Sequence, residues 1–190
     1  MSRKVVLFIA TSLDGYIAKP GDDLSFLSIV EKEGEDYGYT KFVAETDAVI
    51  IGRKTYEWVL QHAEFPHQDK EVYVITRSEK EKEGNIHFYN GDLKTLINKL
   101  KSKEGKNIYC DGGAEVVNAL LAENLIDEMI LSVIPILLGQ GVNLFKEGIP
   151  EQQWTLKDAS TYSTHLVQLH YAKAVLKPNN FDPGISIMKT

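Results

Sequence analysis

Ala48-Val49-Ile50-Ile51-Gly52-Arg53-Lys54-Thr55 runs an apolar strand pattern into a helical one and puts two fixed cations in the helix's first turn. A helix N-terminus carries about half a positive charge, so Lys or Arg there is opposed by roughly 0.3–1 kcal/mol unless an anion arrives. A phosphate would resolve the conflict. Ile108-Tyr109-Cys110-Asp111-Gly112-Gly113 ends a second strand in bare backbone before another helix, where exposed N–H groups can close on a pyrophosphate. A third strand, Val72-Tyr73-Val74-Ile75, runs into Thr76-Arg77-Ser78. Taken singly, Gly112-Gly113 also reads as a tight turn, and Arg53 and Lys54 as a solvated face. Their joint placement at the carboxyl ends of parallel strands favours a ligand, because open α/β sheets bind at that edge.

Outward from these corners, the 190 residues suit one domain, over residues 1–176, followed by a tail at 177–190 that contains Pro183-Gly184 and no period. A net charge of −6 argues against nucleic-acid or anionic-membrane surfaces and makes the positive corners local exceptions. The apolar run Val5 to Ala10 is too short for a secretory or membrane segment, so a cytoplasmic protein is expected. Cys110 is the single cysteine, which excludes an intrachain disulfide and a cysteine-based zinc cluster. His62, His67, His87, His165 and His170 lack His-x-x-x-His spacing, and no Gly-x-Ser-x-Gly elbow occurs. No metal site is expected.

The periodicity predicts a buried strand at Val5–Ala10, an Asp14-Gly15 turn, and a helix from about Asp36 to Glu45. It continues with strand Ala48–Ile51, a short helix near Thr55–Leu60, and strands Val72–Ile75 and Ile86–Tyr89. Asp92 is a suitable N-cap for the helix carrying Leu93, Leu96, Ile97 and Leu100, which Gly105 ends. Strand Asn107–Cys110 and a helix carrying Val116, Val117, Leu120 and Leu121 follow. Beyond Asp127 the helices stop: an apolar run from Met129 to Leu138 precedes two long strands, Trp154–Tyr162 and His165–Val175. This predicts an α/β fold, a mixed and mostly parallel sheet flanked by helices with an antiparallel C-terminal edge.

Neither Gly-x-Gly-x-x-Gly nor a P-loop is present. Two separate helix starts plus Arg77 could instead hold a dinucleotide, and a cation near the adenosine ribose favours NADP over NAD because the extra phosphate needs a counter-charge. Ala48 to Glu57, Val74 to Ser78 and Asp111-Gly112-Gly113 resemble, in order, the three NADPH-binding segments of the dihydrofolate reductase fold. Ser12-Leu13-Asp14-Gly15-Tyr16-Ile17-Ala18 and the stretch from Leu125-Ile126-Asp127-Glu128 through Pro135 to Gly141 and Leu144-Phe145 resemble its riboflavin-pathway branch. That branch comprises the C-terminal domain of the bifunctional deaminase-reductase and its stand-alone relatives.

The resemblance implies a dihydrofolate reductase-like domain and an NADPH-dependent reductase similar to 5-amino-6-(5-phosphoribosylamino)uracil reductase. Gly52, Arg53, Lys54 and Thr55 would hold cofactor phosphates and Thr76, Arg77 and Ser78 the adenosine side. Gly112, Gly113, Ala114, Glu115 and Val116 would meet the pyrophosphate, with Ala10 and Ile17 flanking the nicotinamide. It also implies a homodimer. Two departures stand out: no arginine lies between Arg53 and Arg77 to clamp a folate tail, and the deaminase half is missing.

Hydride transfer to C=N or C=O requires a proton, for which a carboxylic acid is suited. Asp36 lies sixteen residues before Gly52, the register in which the resemblance places the active-site acid, and the 3.6 period puts Tyr37 and Thr40 on its face as substrate contacts. Glu33, Glu35 and Asp36 read equally as an acidic helix start that suits the dipole. Asp14 is the second catalytic candidate, because the resemblance sets its loop beside the nicotinamide. Between Thr11 and Thr46 only Lys19, Lys32 and Lys41 are basic, which disfavours a strongly anionic substrate. The expected partner is a small molecule. A dihydrofolate or pteridine reductase, or an NADPH-binding protein without turnover, are the alternatives.

Overall fold

The computed structural model describes residues 3–174, so the tail at 177–190 and the end of the last predicted strand lie outside the described residues. Within them the order is β1 (Val5–Ser12), β2 (Tyr16–Ala18), a 3₁₀ helix (Ser25–Val30), α1 (Tyr39–Ala44), β3 (Thr46–Gly52), α2 (Arg53–His62) and β4 (Glu71–Ile75). It continues with β5 (Ile86–Tyr89), α3 (Leu93–Lys101), β6 (Asn107–Gly112), α4 (Ala114–Ala122), β7 (Glu128–Ile134), β8 (Val142–Asn143), β9 (Trp154–Thr161) and β10 (Val167–Lys173).

Eight strands form one sheet in the order β5-β4-β3-β6-β1-β7-β10-β9. The pairs from β5 across to β7 are parallel, and β7-β10 and β10-β9 are antiparallel. The predicted mixed sheet with an antiparallel edge is the observed one. Central strands covered on both faces read as continuous apolar runs, and Val5, Leu7, Val49, Ile50, Ile51 and Ile108 are fully buried. One face packs Leu96, Ile97 and Leu100 of α3 and Val117, Leu120 and Leu121 of α4 on Val5, Leu7, Ile50 and Ile108. The other packs Phe42 of α1 and Tyr56 of α2 on Val6, Val49, Ile51 and Val74, with Tyr109 of β6 in the same cluster. A third, smaller cluster under the 3₁₀ helix joins Phe26 and Val30 to Ile134 and Leu166. The Asp92 carboxylate caps α3 as its position predicts, accepting the Thr95 N–H at 2.7 Å.

The helix predicted from Asp36 starts only at Tyr39. Tyr37 at φ +55° and Gly38 at φ +77° are left-handed, a conformation no α-helix interior contains. Asp36, Tyr37 and Thr40 therefore do not share a helix face. The apolar run from Met129 is strand only to Ile134, because Pro135 lacks the N–H a ladder needs. The final hairpin turns through His165 at φ +64°. Neither the 3₁₀ helix nor the small β2–β8 pair was legible in the periodicity.

Candidate active site

The order β4-β3-β6 sets the three predicted corners side by side at the carboxyl edge of the sheet. Gly52 leads into α2 and Gly113 into α4. The two helix starts converge so closely that an added side chain would be tight at Gly52 and would clash at Gly113. A Cβ on Gly52 would lie 3.3 Å from Val116 Cγ2 and 3.5 Å from the Gly112 carbonyl oxygen. One on Gly113 would stand 2.9 Å from Thr55 Oγ1, inside contact distance. Bare N–H groups therefore line this corner, the arrangement that binds phosphate at helix starts.

The charges differ between the two helices. The first turn of α2 holds no acid and carries Arg53 and Lys54, whereas that of α4 holds Glu115. Arg53 Nη1 donates to both carboxylate oxygens of Glu57, at 2.8 and 2.7 Å, on the exposed face of α2. Lys54 and Arg77 are exposed and form no ion pair among the described residues. Beyond β4, the Ser78 N–H donates to Thr76 Oγ1 at 3.2 Å, turning the chain at Arg77. Ala10 and Ile17 lie beyond the sheet centre: Ala10 packs with the cluster under the 3₁₀ helix, Ile17 against the α3/α4 face.

Next to Ala10 a cavity of about 510 Å³ opens between the sheet and the segment spanning residues 27–37. Its floor is Phe8 and Ala10 of β1 with Ser132 and Ile134 of β7; Leu27, Val30, Tyr37, Tyr39 and Leu166 form the walls, and Glu31, Lys32, Glu33, Glu35 and Asp36 the rim. The one cation there among the described residues, Lys32, donates to Ser163 Oγ at 2.7 Å. The buried Ser132 Oγ accepts a hydrogen bond from Gln168 Nε2 at 3.0 Å. Tyr37 is held by hydrogen bonds from its hydroxyl to the Val30 carbonyl and with Thr164 Oγ1, and its ring meets Tyr162 edge-on. Thus Asp36, Tyr37 and Ala10 reach one cavity. Thr40 stands outside it, its N–H donating to Asp36.

Both predicted catalytic carboxylates are occupied by hydrogen-bond donors. Asp36 accepts the Gly38 N–H at 2.9 Å and the Thr40 N–H at 3.0 Å, and its bonds to Thr40 lead in holding its pKa below the usual range. Asp14 accepts from Ser12 Oγ at 2.5 Å and from the N–H groups of Gly139 and Leu138 at 2.7 and 3.1 Å. Led by the Ser12 bond, these lower its pKa to about 2 and tie the loop after β1 to the loop after β7.

A third carboxylate was not singled out in the sequence, where Asp111 entered only as part of the Asp111-Gly112-Gly113 segment. Tyr109 Oη donates to Asp111 Oδ1 at 2.6 Å, and the Tyr39 hydroxyl lies 3.3 Å from Nε2 of the buried His67. Burial raises the pKa of Asp111 and lowers that of His67. Burial likewise pushes the Cys110 thiol up to about 12, leaving it an inert core group. The residues that form the cavity walls were missed for a different reason: they are ordinary apolar side chains, and only Ser132, a polar residue within an apolar run, carried a signal.

The architecture defines the class, a dihydrofolate reductase-like fold. It is shared with the dihydrofolate reductase from Enterococcus faecalis complexed with NADP(H), at a TM-score of 0.63 and 15% identity over 91% of this chain and 99% of that one. Within that class the chain belongs to the RibD C-terminal domain family, whose sequence profile matches residues 3–168. It is 43% identical to the uncharacterized protein YwjB of Bacillus subtilis, over 92% of this chain and all of that one. A candidate riboflavin biosynthesis protein from Shewanella sp. PV-4 superposes with a TM-score of 0.82 at 33% identity, covering 92% of this chain and 99% of that one. Among the described residues, no helix is long and apolar enough to cross a membrane.

Proposed function

We propose that the chain is an NADPH-dependent reductase acting on a small, flat, uncharged heterocycle or carbonyl compound. The observation that carries the reading is the corner where Gly52 and Gly113 meet, since a Cβ on Gly113 would meet Thr55 Oγ1 at 2.9 Å. A corner of crowded glycines beside two helix starts fits a diphosphate. Thr55, Lys54 and the N–H groups of Gly113 to Val116 hold it; Arg53 joins by leaving Glu57, an exposed pair that is weak in water. Thr76, Arg77 and Ser78 take the adenosine phosphate, and Ala10 and Ile17 the nicotinamide end. Glu115 opposes an anion at α4, so the cations of α2 carry the larger share of the charge. When bound, the cofactor supplies the hydride.

The chain's own residues fix the acceptor. A volume of about 510 Å³ is in the range of small-molecule sites. Phe8, Tyr37 and Tyr39 offer flat apolar surface, and Ser132 a polar contact at the floor. Asp36, on the rim, anchors an acceptor N–H through a carboxylate kept ionised by its donors. Glu31, Glu33, Glu35 and Asp36 repel a phosphate, which separates this site from one built for a ribosyl phosphate.

The test is NADPH oxidation, followed by absorbance, with a panel of dihydropterins, quinones, aldehydes and the phosphoribosylaminopyrimidine. Turnover is expected with uncharged acceptors and a weaker response with the phosphorylated one. Preference for the phosphorylated acceptor would overturn the substrate reading; binding of NADPH without turnover on any acceptor would overturn the reductase reading.

A further inference from the structure

The cavity floor carries a single polar side chain, Ser132, among Phe8, Ala10 and Ile134. Ser132 stands opposite Ala10 in the parallel β1-β7 register and opposite Gln168 in the antiparallel β7-β10 register. Register partners leave a sheet on the same face, so the three side chains share the cavity side. Only 4% of Ser132 is exposed, and a buried hydroxyl has both a proton and an oxygen to satisfy.

Gln168 decides which of the two is left over. Its Nε2 donates to the Tyr37 carbonyl oxygen and to Ser132 Oγ, each at 3.0 Å. A carbonyl oxygen only accepts, so reversing the amide would set two oxygens face to face. The Ser132 oxygen therefore receives the Gln168 proton, and among the described residues its own O–H donates to nothing. The tyrosines of the wall are engaged elsewhere: the Tyr37 hydroxyl with Val30 and Thr164, and that of Tyr39 with His67. The same amide joins the carbonyl of Tyr37 to β7, so one side chain fixes both the wall and the polarity of the floor.

We propose that Ser132 is a specificity-determining donor whose proton is turned into the cavity by Gln168, a positioning residue. The cavity then selects flat ligands that meet the floor with a carbonyl oxygen or an unprotonated ring nitrogen. This deepens the reductase reading above and rests on it for the ligand being a hydride acceptor. An N–H at the same place would face the Ser132 proton, leaving two donors unsatisfied in a buried site, which is costly. A site built to hydrogen-bond one polar group discriminates strongly against an analogue that cannot make the bond.

Binding by the full chain tests the assignment without turnover. Chromone is a flat bicycle with an outward carbonyl; 1-naphthylamine is a flat bicycle of similar size with an N–H in its place. Titrated calorimetrically in the presence of NADP+, which carries no hydride, the wild type is expected to bind chromone at least about tenfold more tightly. Ser132→Ala removes that preference. Gln168→Glu accepts the Ser132 proton, turns the serine lone pairs to the cavity and reverses the preference. Equal affinities in the wild type, no binding of chromone, or a preference unchanged in Ser132→Ala overturns the proposal. Kinetics test the role of Gln168. With the best acceptor of the panel, Ser132→Ala is expected to lower kcat/KM about tenfold, and Gln168→Leu to cost much less once Ser132 is already alanine. Full additivity overturns the positioning role. If the Gln168 variants do not fold in a circular-dichroism melt, the wild-type preference and Ser132→Ala decide. A wild type that prefers chromone yet oxidises NADPH with no acceptor overturns the reductase reading and supports the donor assignment.

Discussion

At the ends of β3 and β6 the chain presents backbone, glycine and cations; across β1 it presents aromatic rings and apolar side chains under a rim of carboxylates. The first surface is made by contiguous segments, Gly52–Thr55 and Gly112–Val116, each a strand end continuing into a helix. The second gathers Phe8, Val30 and Tyr37, Ser132, and Leu166 from four separate places in the chain. The first offers N–H groups and positive charge, the second a shaped apolar surface under a negative rim. On the proposed function the difference separates what would be held from what would be transformed: a charged dinucleotide on one side, an uncharged acceptor on the other.

Filling the glycine corner should break this division most severely. Gly113→Val adds a branched side chain where even a Cβ meets Thr55 Oγ1 at 2.9 Å, so NADPH affinity is expected to fall by more than about 100-fold, roughly 2.7 kcal/mol. Calorimetry beside a circular-dichroism melt checks it; wild-type affinity in a folded variant would remove the corner from the cofactor site. A smaller effect is expected at the adenosine end. Arg77→Ala should weaken NADPH about tenfold, the worth of one charge-assisted hydrogen bond, and leave NADH unchanged. An equal loss for both dinucleotides would make Arg77 a structural residue. The smallest effect belongs to the substrate rim. Asp36→Ala deletes the acceptor for the Gly38 and Thr40 N–H groups, so the melting temperature should fall by a few degrees and KM should rise more than kcat falls. A collapse of kcat across the whole pH range would instead give Asp36 the proton.

The strand-end corners were legible because their signals are local. A strand, a glycine and a helix start are adjacent in sequence, and the cations of Arg53 and Lys54 conflict with the helix dipole in a way a single chain reveals. The sheet was legible for the same reason, since buried parallel strands are continuous apolar runs. The cavity depends on tertiary placement. Tyr37 reaches the cavity from a left-handed turn, which the helical period misread as a helix face. Asp36 caps α1 from outside it, the alternative use of a carboxylate beside a helix start. Asp111 lay within a recognised motif, but its environment comes from Tyr109, His67 and Tyr39, brought together only by folding.

The account turns on two proposed phosphate sites, the glycine corner for the diphosphate and the turn at Arg77 for the adenosine phosphate that distinguishes NADPH from NADH. Isothermal titration of the full chain with each dinucleotide, at matched ionic strength, tests this directly. The account predicts saturable one-to-one binding of NADPH, at least about tenfold tighter than NADH. Equal affinities, or no binding of either, would contradict it.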